Sequence, residues 1–111
     1  MKPEQQRKIL EAAAKACGIT GTFDDGICWF KHRDTGLLAP WTPLTNPADT
    51  ASMCAKLNIN YTWMCGYVEC WKWDGPSIKI EHDDTDAGKE AAWRLAATTV
   101  AAKIGGYEDE F

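Results

Sequence analysis

The residues best suited to hold a metal ion lie together near position 83. His82, Asp83, Asp84 and Asp86 place four potential ligands within five positions, and carboxylate oxygens suit Mg²⁺ or Ca²⁺. A structural interpretation needs no metal. These acids fall where a predicted strand is followed by a predicted helix, and negative charge at a helix N-terminus is stabilising by itself. We favour the structural role and predict neither a metal nor a cofactor.

The five cysteines are the next candidates for chemistry. Cys28 precedes His32 by four residues, and Cys65 and Cys70 flank a predicted turn. Neither arrangement has a recognisable third group for catalysis, and zinc would need four well-placed ligands. An odd number of cysteines without a C-x-x-C pair is also a poor disulfide framework. We therefore expect reduced, mostly buried thiols, as in a cytoplasmic protein.

An aromatic and basic set on the predicted sheet is the strongest candidate binding site, in a chain with six tryptophans among 111 residues. A ring can stack on the aromatic side chains while a phosphate meets the lysines, as in single-strand binders. Core packing under a second helix layer explains the same residues and is favoured. The set comprises Tyr61, Trp63, Lys72 and Lys79. Trp29 and Trp41, on or near a long loop, are two further candidate binding anchors.

Composition and motifs limit the classes of function. The net charge of −4 provides no basic field for general nucleic-acid binding. No phosphate-binding loop, dinucleotide fingerprint, nucleophile elbow or zinc-protease motif occurs, so we predict that the protein is not an enzyme. No apolar run approaches the length of a membrane helix. Residues 1–106 are predicted to form one domain, followed by a short acidic tail, 107–111.

Periodicity and end signals predict the elements. Helices are expected from Pro3 to Cys17, from about Pro47 to Leu57, and from about Thr85 to Ile104, each with recognisable start or stop residues. Between Gly18 and Asn46 only one short strand, 27–30, is predicted after a turn at 24–26, and 32–43 is expected to be a long loop. Residues 59–83 alternate as a three-stranded antiparallel meander.

The two predicted turns of the meander decide which side chains share a face. A two-residue turn at 65–66 and a four-residue turn at 74–77 would place Trp71 opposite Ile80 and Trp73 opposite Ile78. The face with these tryptophan and isoleucine side chains would be strongly apolar, so we expect another element to cover it. The other face would carry an amphipathic set: Tyr61, Trp63, Val68, Cys70, Lys72, Lys79 and Glu81. A shift of one residue in either turn would exchange the two sets.

The order of helices and antiparallel strands indicates an α+β fold, with helices on one or both faces of the sheet. Parts of the chain also resemble the phage ABA sandwich domain family. The resemblance runs from about Ala12 to Gly106 and includes the stretches AAKACGI, WTPLTNPADTA and EAAWRLAATTVAAKIGG. It implies an α-β-α sandwich, in which an antiparallel sheet of about four strands has helices on both sides, and a phage origin. It implies no catalytic residues.

Three functions remain open at this stage. The first is a small phage accessory protein that acts by binding, most plausibly as a counter-defence inhibitor of a host protein. The second is a sponge that sequesters a nucleotide-like immune signalling molecule, through the aromatic and lysine set. The third, a small metal-dependent enzyme, is disfavoured. A homo-oligomer is compatible with either of the first two functions.

Overall fold

The computed structural model describes residues 2–19, 21–24, 27–31 and 38–108, and these ranges contain three helices and six strands. The helices are α1 (Pro3–Cys17), α2 (Pro47–Leu57) and α3 (Asp86–Ile104). The strands are β1 (Gly21–Asp24), β2 (Ile27–Lys31), β3 (Leu38–Trp41), β4 (Ile59–Met64), β5 (Tyr67–Lys72) and β6 (Ser77–Glu81). All three predicted helices are confirmed.

The helix ends carry the local signals that the sequence indicates. Helix α1 ends at Gly18, whose φ of 71° lies in the left-handed region that glycine adopts without strain. The Asn46 side chain accepts a hydrogen bond of 3.0 Å from the Ala48 amide at the start of α2. Thr85 Oγ1 accepts one of 3.0 Å from the Gly88 amide at the start of α3. These caps satisfy amides that a helix leaves without an internal partner.

The strands form two antiparallel sheets, β1-β2-β3 and β4-β5-β6, rather than one sheet of about four strands. The predicted meander is confirmed as the second sheet. The first was largely missed, because 18–46 was predicted to hold a single strand. Pro40 in β3 argued against a strand there, yet β3 lies at a sheet edge, where a missing N–H is tolerated. The predicted turn residues 25–26 and loop residues 32–37 lie outside the described residues.

The register of β5 and β6 differs from the predicted one. Trp71 pairs with Ser77, Cys70 with Ile78, and Val68 with Ile80. The turn occupies 73–76, one residue earlier than predicted, with Asp74 at a φ of 56°. The resulting shift exchanges the faces of β6, because successive side chains of a strand point to opposite sides.

This exchange corrects the predicted composition of both faces. Ile78 and Ile80 join Val68 and Cys70 on the face that α3 covers, whereas Lys79 lies on the other face with Trp71. The predicted two-residue turn at 65–66 is confirmed, since Met64 pairs with Tyr67.

Helix α3 lies at the centre of the molecule. It contacts β4, β5 and β6, and also α1 and α2, while α1 contacts β2 of the other sheet. Residues 96–102 are buried without interruption, as expected for a helix with neighbours on every side. Alanine dominates this segment, so neighbouring backbones can approach closely. The predicted α+β class, with helices packed on an antiparallel sheet, is confirmed.

The segment 41–50 joins the first sheet to α2 and is held by its own polar groups. The Thr42 amide donates to Asp49 Oδ2 at 2.9 Å, and the buried Thr50 hydroxyl donates to the Pro43 carbonyl oxygen at 2.6 Å. Arg94 Nε of α3 donates to the Leu44 carbonyl oxygen at 3.0 Å. The polar residues of this segment therefore stabilise a connection.

Gly105, which follows the last residue of α3, lies directly against the backbone of α1. A Cβ at this position would overlap the carbonyl oxygen of Ala12. We expect Gly105→Ala to lower the free energy of unfolding by about 1–3 kcal/mol, because the two backbones must separate. Ala91→Ser, at an exposed position of α3, should change it by less than about 0.5 kcal/mol. Urea denaturation followed by circular dichroism measures both, and equal stability of the two variants would contradict the packing described.

Candidate functional site

Four aromatic side chains form a continuous row beside β4, which we call the aromatic strip: Trp93, Tyr61, Trp63 and His82. Ring centroids are 5.5 Å apart for Tyr61 and Trp93, 6.4 Å for Tyr61 and Trp63, and 5.9 Å for Trp63 and His82. All three contacts are edge-to-face, a favourable geometry for aromatic rings. Tyr61 is 47% exposed and Trp63 45%. The strip is thus both ordered by its own contacts and open to solvent.

The strip arises from three different elements. Tyr61 and Trp63 alternate along β4 on the face that carries Cys70 and Val68, to which they are paired. Trp93 comes from α3. His82 follows β6 directly, and its amide donates to the Gly66 carbonyl oxygen at 3.0 Å. Because β4 is an edge strand, α3 covers the middle of the sheet more completely than it covers this row.

A groove of about 400 Å³ adjoins one end of the strip, between α2 and the start of β4. The Trp93 indole Nε1 is buried, and no acceptor for its hydrogen lies among the described residues. Two amides and no charged side chain line the groove in that part of the chain. Its lining is Ala51, Cys54, Ala55, Asn58, Ile59, Asn60, Tyr61 and Trp93. An uncharged planar ring suits these walls better than a phosphate does.

The two predicted lysines do not join the aromatic residues in one patch. Lys72 Nζ donates to the Leu57 carbonyl oxygen at 2.8 Å and so caps the end of α2. Lys79 lies on the opposite face of the sheet, 5.6 Å from the centre of the Tyr67 ring. The predicted site, in which rings stack on a ligand and two lysines bind its phosphate, therefore does not form. Lys72 makes a structural contact, and Lys79 belongs to another surface.

The structure separates the two remaining tryptophan candidates from the strip as well. Trp41 is only 5% exposed and belongs to the core, so it is unavailable for binding. Trp29 is partly buried on β2 of the other sheet, in register with Thr22 and Pro40. Of the six predicted site residues, only Tyr61 and Trp63 lie together.

A second aromatic surface was missed, and we call it the outer face of the β4–β6 sheet. It contains no buried residue, yet Tyr67 and Trp71 lie on it, with Met64 47% exposed beside them. Trp73, in the turn after β5, is 81% exposed. The sequence had assigned Trp71 and Trp73 to a covered face. The outer face consists of Asn60, Thr62, Met64, Tyr67, Glu69, Trp71, Ser77, Lys79 and Glu81.

The acids that resemble a metal site have a structural role. Asp83 Oδ1 accepts from the hydroxyl of Thr85 at 2.5 Å and from its amide at 3.0 Å. The hydroxyl contact first, and then the amide contact, lowers the pKa of the Asp83 carboxyl. Among the described residues no three potential ligands come together for a metal ion. The cluster organises the start of α3.

The described cysteines are free thiols, and Cys17, Cys54 and Cys70 are buried. Burial raises the pKa of Cys54 to about 11 and that of Cys70 to about 12. Burial also raises the pKa of Cys17, against a smaller opposing effect of Lys56. Cys65 is exposed in the β4–β5 turn. The side chains of Cys28 and His32, which were considered as a catalytic pair and disfavoured, lie outside the described ones.

Comparison with known proteins finds no matching family model, no matching curated protein and no matching solved structure. The resemblance to the phage ABA sandwich family therefore stays a prediction. No helix in the described ranges has the length and apolar character needed to cross a membrane.

Thiol reactivity checks the assignment of the cysteines. At pH 8 we expect Cys65 to react rapidly with a disulfide reagent, while Cys17, Cys54 and Cys70 react only as the protein unfolds. The reason is that the thiolate is the reactive form, and the raised pKa values of the buried thiols keep them protonated. Cys65→Ser should remove one equivalent from the fast phase. A fast phase unchanged by Cys65→Ser would contradict this assignment.

Proposed function

We propose that this protein is a non-enzymatic binding protein whose outer face engages a protein partner, and that it serves a phage as a counter-defence inhibitor of a host protein. The observation that carries the proposal is the exposure of Trp73, at 81%, next to a sheet face that bears Tyr67 and Trp71. Tryptophan and tyrosine dominate the energetics of protein interfaces. The phage setting comes from the family resemblance alone.

Charged and polar groups of the outer face suit a protein surface. The Lys79 ammonium lies over Tyr67 and remains exposed, so it can still meet a carboxylate of the partner. Glu69 accepts a hydrogen bond of 3.1 Å from the Ser77 hydroxyl, which orders one side of the face. Across this face the polar row Thr62, Glu69 and Lys79 lies between the aromatic side chains of Tyr67 and Trp71. Protein interfaces combine aromatic side chains with direct hydrogen bonds in the same way.

Residues of the kinds that take part in catalysis make structural contacts here, which accords with a binding role. Asp83 is engaged by Thr85, and Lys72 is engaged by the end of α2. The buried thiols are protonated at neutral pH because their pKa values are raised. These groups stabilise the fold, which leaves recognition as the activity that the described surface serves best.

Capture of a host protein tests the proposal. Immobilised protein should retain a defined partner from host lysate, and Trp73→Ala should reduce its recovery about tenfold or more, as for an interface hot spot. Lys79→Ala should weaken recovery, whereas Lys8→Ala, an exposed lysine of α1, should not. Mass spectrometry identifies the partner. Recovery that is equal for wild type and Trp73→Ala would contradict binding through the outer face.

A nucleotide-like ligand is the second candidate, and the groove favours it. Tyr61 and Trp93, whose ring centroids are 5.5 Å apart, both line the groove. A base placed between α2 and β4 could contact both rings. The phosphates of a nucleotide would bind outside the groove, because the Lys72 ammonium already donates a hydrogen bond to the Leu57 carbonyl oxygen.

Calorimetry tests this second candidate. If the groove binds a base, cyclic nucleotides and the matching nucleosides should both give heat, because the lining is uncharged. Tyr61→Ala removes one of the two rings that a base would contact, and it should weaken binding about tenfold. Trp73→Ala, a change outside the groove, is the control. Absence of heat with every nucleotide and nucleoside would remove this candidate.

A further inference from the structure

The outer edge of β4 is a strand edge without a partner in the described chain. β4 is the first strand in the order β4-β5-β6, and its ladder runs to β5 only. Among the described residues, no backbone hydrogen bond reaches 60–64 from any element besides β5. Such an edge presents a row of N–H and C=O groups that can pair with another strand.

The sequence of β4 lacks the features that usually prevent such pairing. INYTWM contains no charged residue and no proline. The other edge of the same sheet differs, because β6 carries Lys79 and Glu81, both exposed. Charges and prolines are the common protection of free edges. The sheet therefore has one protected edge and one edge suited to strand addition.

From this geometry we infer that β4 pairs with β4 of a second copy of this chain, antiparallel and about a two-fold axis perpendicular to the sheet. The result is a continuous six-stranded sheet. A two-fold contact brings a strand against itself, so the strand must be complementary to itself. An uncharged strand meets this condition, because it places no like charges opposite each other.

The register of the pair follows from the faces of the strand. Pairing centred on Thr62 keeps the helix-covered faces of both copies on one side of the sheet. It places Tyr61 of each copy opposite Trp63 of the other, and Asn60 opposite Met64. Cross-strand aromatic pairs stabilise antiparallel strands. Tyr61, Trp63 and Met64 are each about half exposed in one copy, and the side chains of the second strand would cover part of that surface.

The groove accommodates the end of the second strand. In this register the β4–β5 turn of the second copy, 65–66, arrives beside Asn58 and Ile59, and both of these residues line the groove. The groove thus provides free volume beside the start of β4, where the β4–β5 turn of the second copy would lie. The inference goes beyond the proposed function, because it assigns the aromatic strip and the edge of β4 to self-association and joins two outer faces into one surface.

The mass in solution tests the inference. Light scattering after gel filtration should give twice the chain mass for wild type and one chain mass for Thr62→Lys, which places two like charges at the two-fold axis. Ser77→Lys, a change at a residue of the other edge that is also exposed, should remain dimeric. Circular dichroism should show that both variants are folded. A monomeric wild type would overturn the inference, and so would a Thr62→Lys variant that remains dimeric.

Cross-linking tests the register independently. Directly opposed residues of antiparallel strands have Cα atoms roughly 4.5–5.5 Å apart, which suits a disulfide. In a Cys65→Ser background, Thr62→Cys should give a covalent dimer on mild oxidation, and Ser77→Cys should remain monomeric on a non-reducing gel. Equal cross-linking of the two variants would overturn the register. If the wild type is monomeric and the edge of β4 pairs only with a strand of another protein, self-association is wrong and strand addition by that protein takes its place.

Discussion

The burial of residues 96–102 of α3 on all sides is the constraint on which the remaining structure depends. A helix that contacts a sheet on one side and α1 and α2 on others must be narrow, and the run of alanine and small residues from 96 to 102 makes it so. Close approach continues to Gly105, which lies against the Ala12 backbone. The core is thus built around a thin central helix, with the larger side chains supplied by its neighbours.

Because α3 is thin, it covers the middle of the β4–β6 sheet better than its edge. Val68 and Cys70 of the central strand are fully buried, whereas Tyr61 and Trp63 of β4 are about half exposed. The aromatic strip exists for this reason. Tyr61 packs on Trp63 and on Trp93, and Tyr61 and Trp63 both retain a surface for another molecule. The same geometry leaves the backbone edge of β4 beside these exposed rings.

The turn between β5 and β6 decides which tryptophans belong to the surface. A turn that begins at Trp73 rather than Asp74 reverses the faces of β6, so that Ile78 and Ile80 complete the core and Trp71 lies outside it. Asp74 adopts a left-handed φ, and the Gly75 amide closes the turn on the Lys72 carbonyl oxygen at 2.9 Å. A local backbone choice of this kind sets the chemistry of an entire face.

What the sequence determined by itself was local: the three helices with their caps, the meander with its first turn, and the buried thiols, because these depend on neighbouring residues and on short periods. Pairing beyond the nearest turn was decided only by tertiary structure. Pro40 is acceptable in β3 because that strand lies at an edge, and Trp41 belongs to the core because the segment before α2 folds inward. Lys72 and Lys79 were separated by the β5–β6 register, which a one-residue change in a turn reverses.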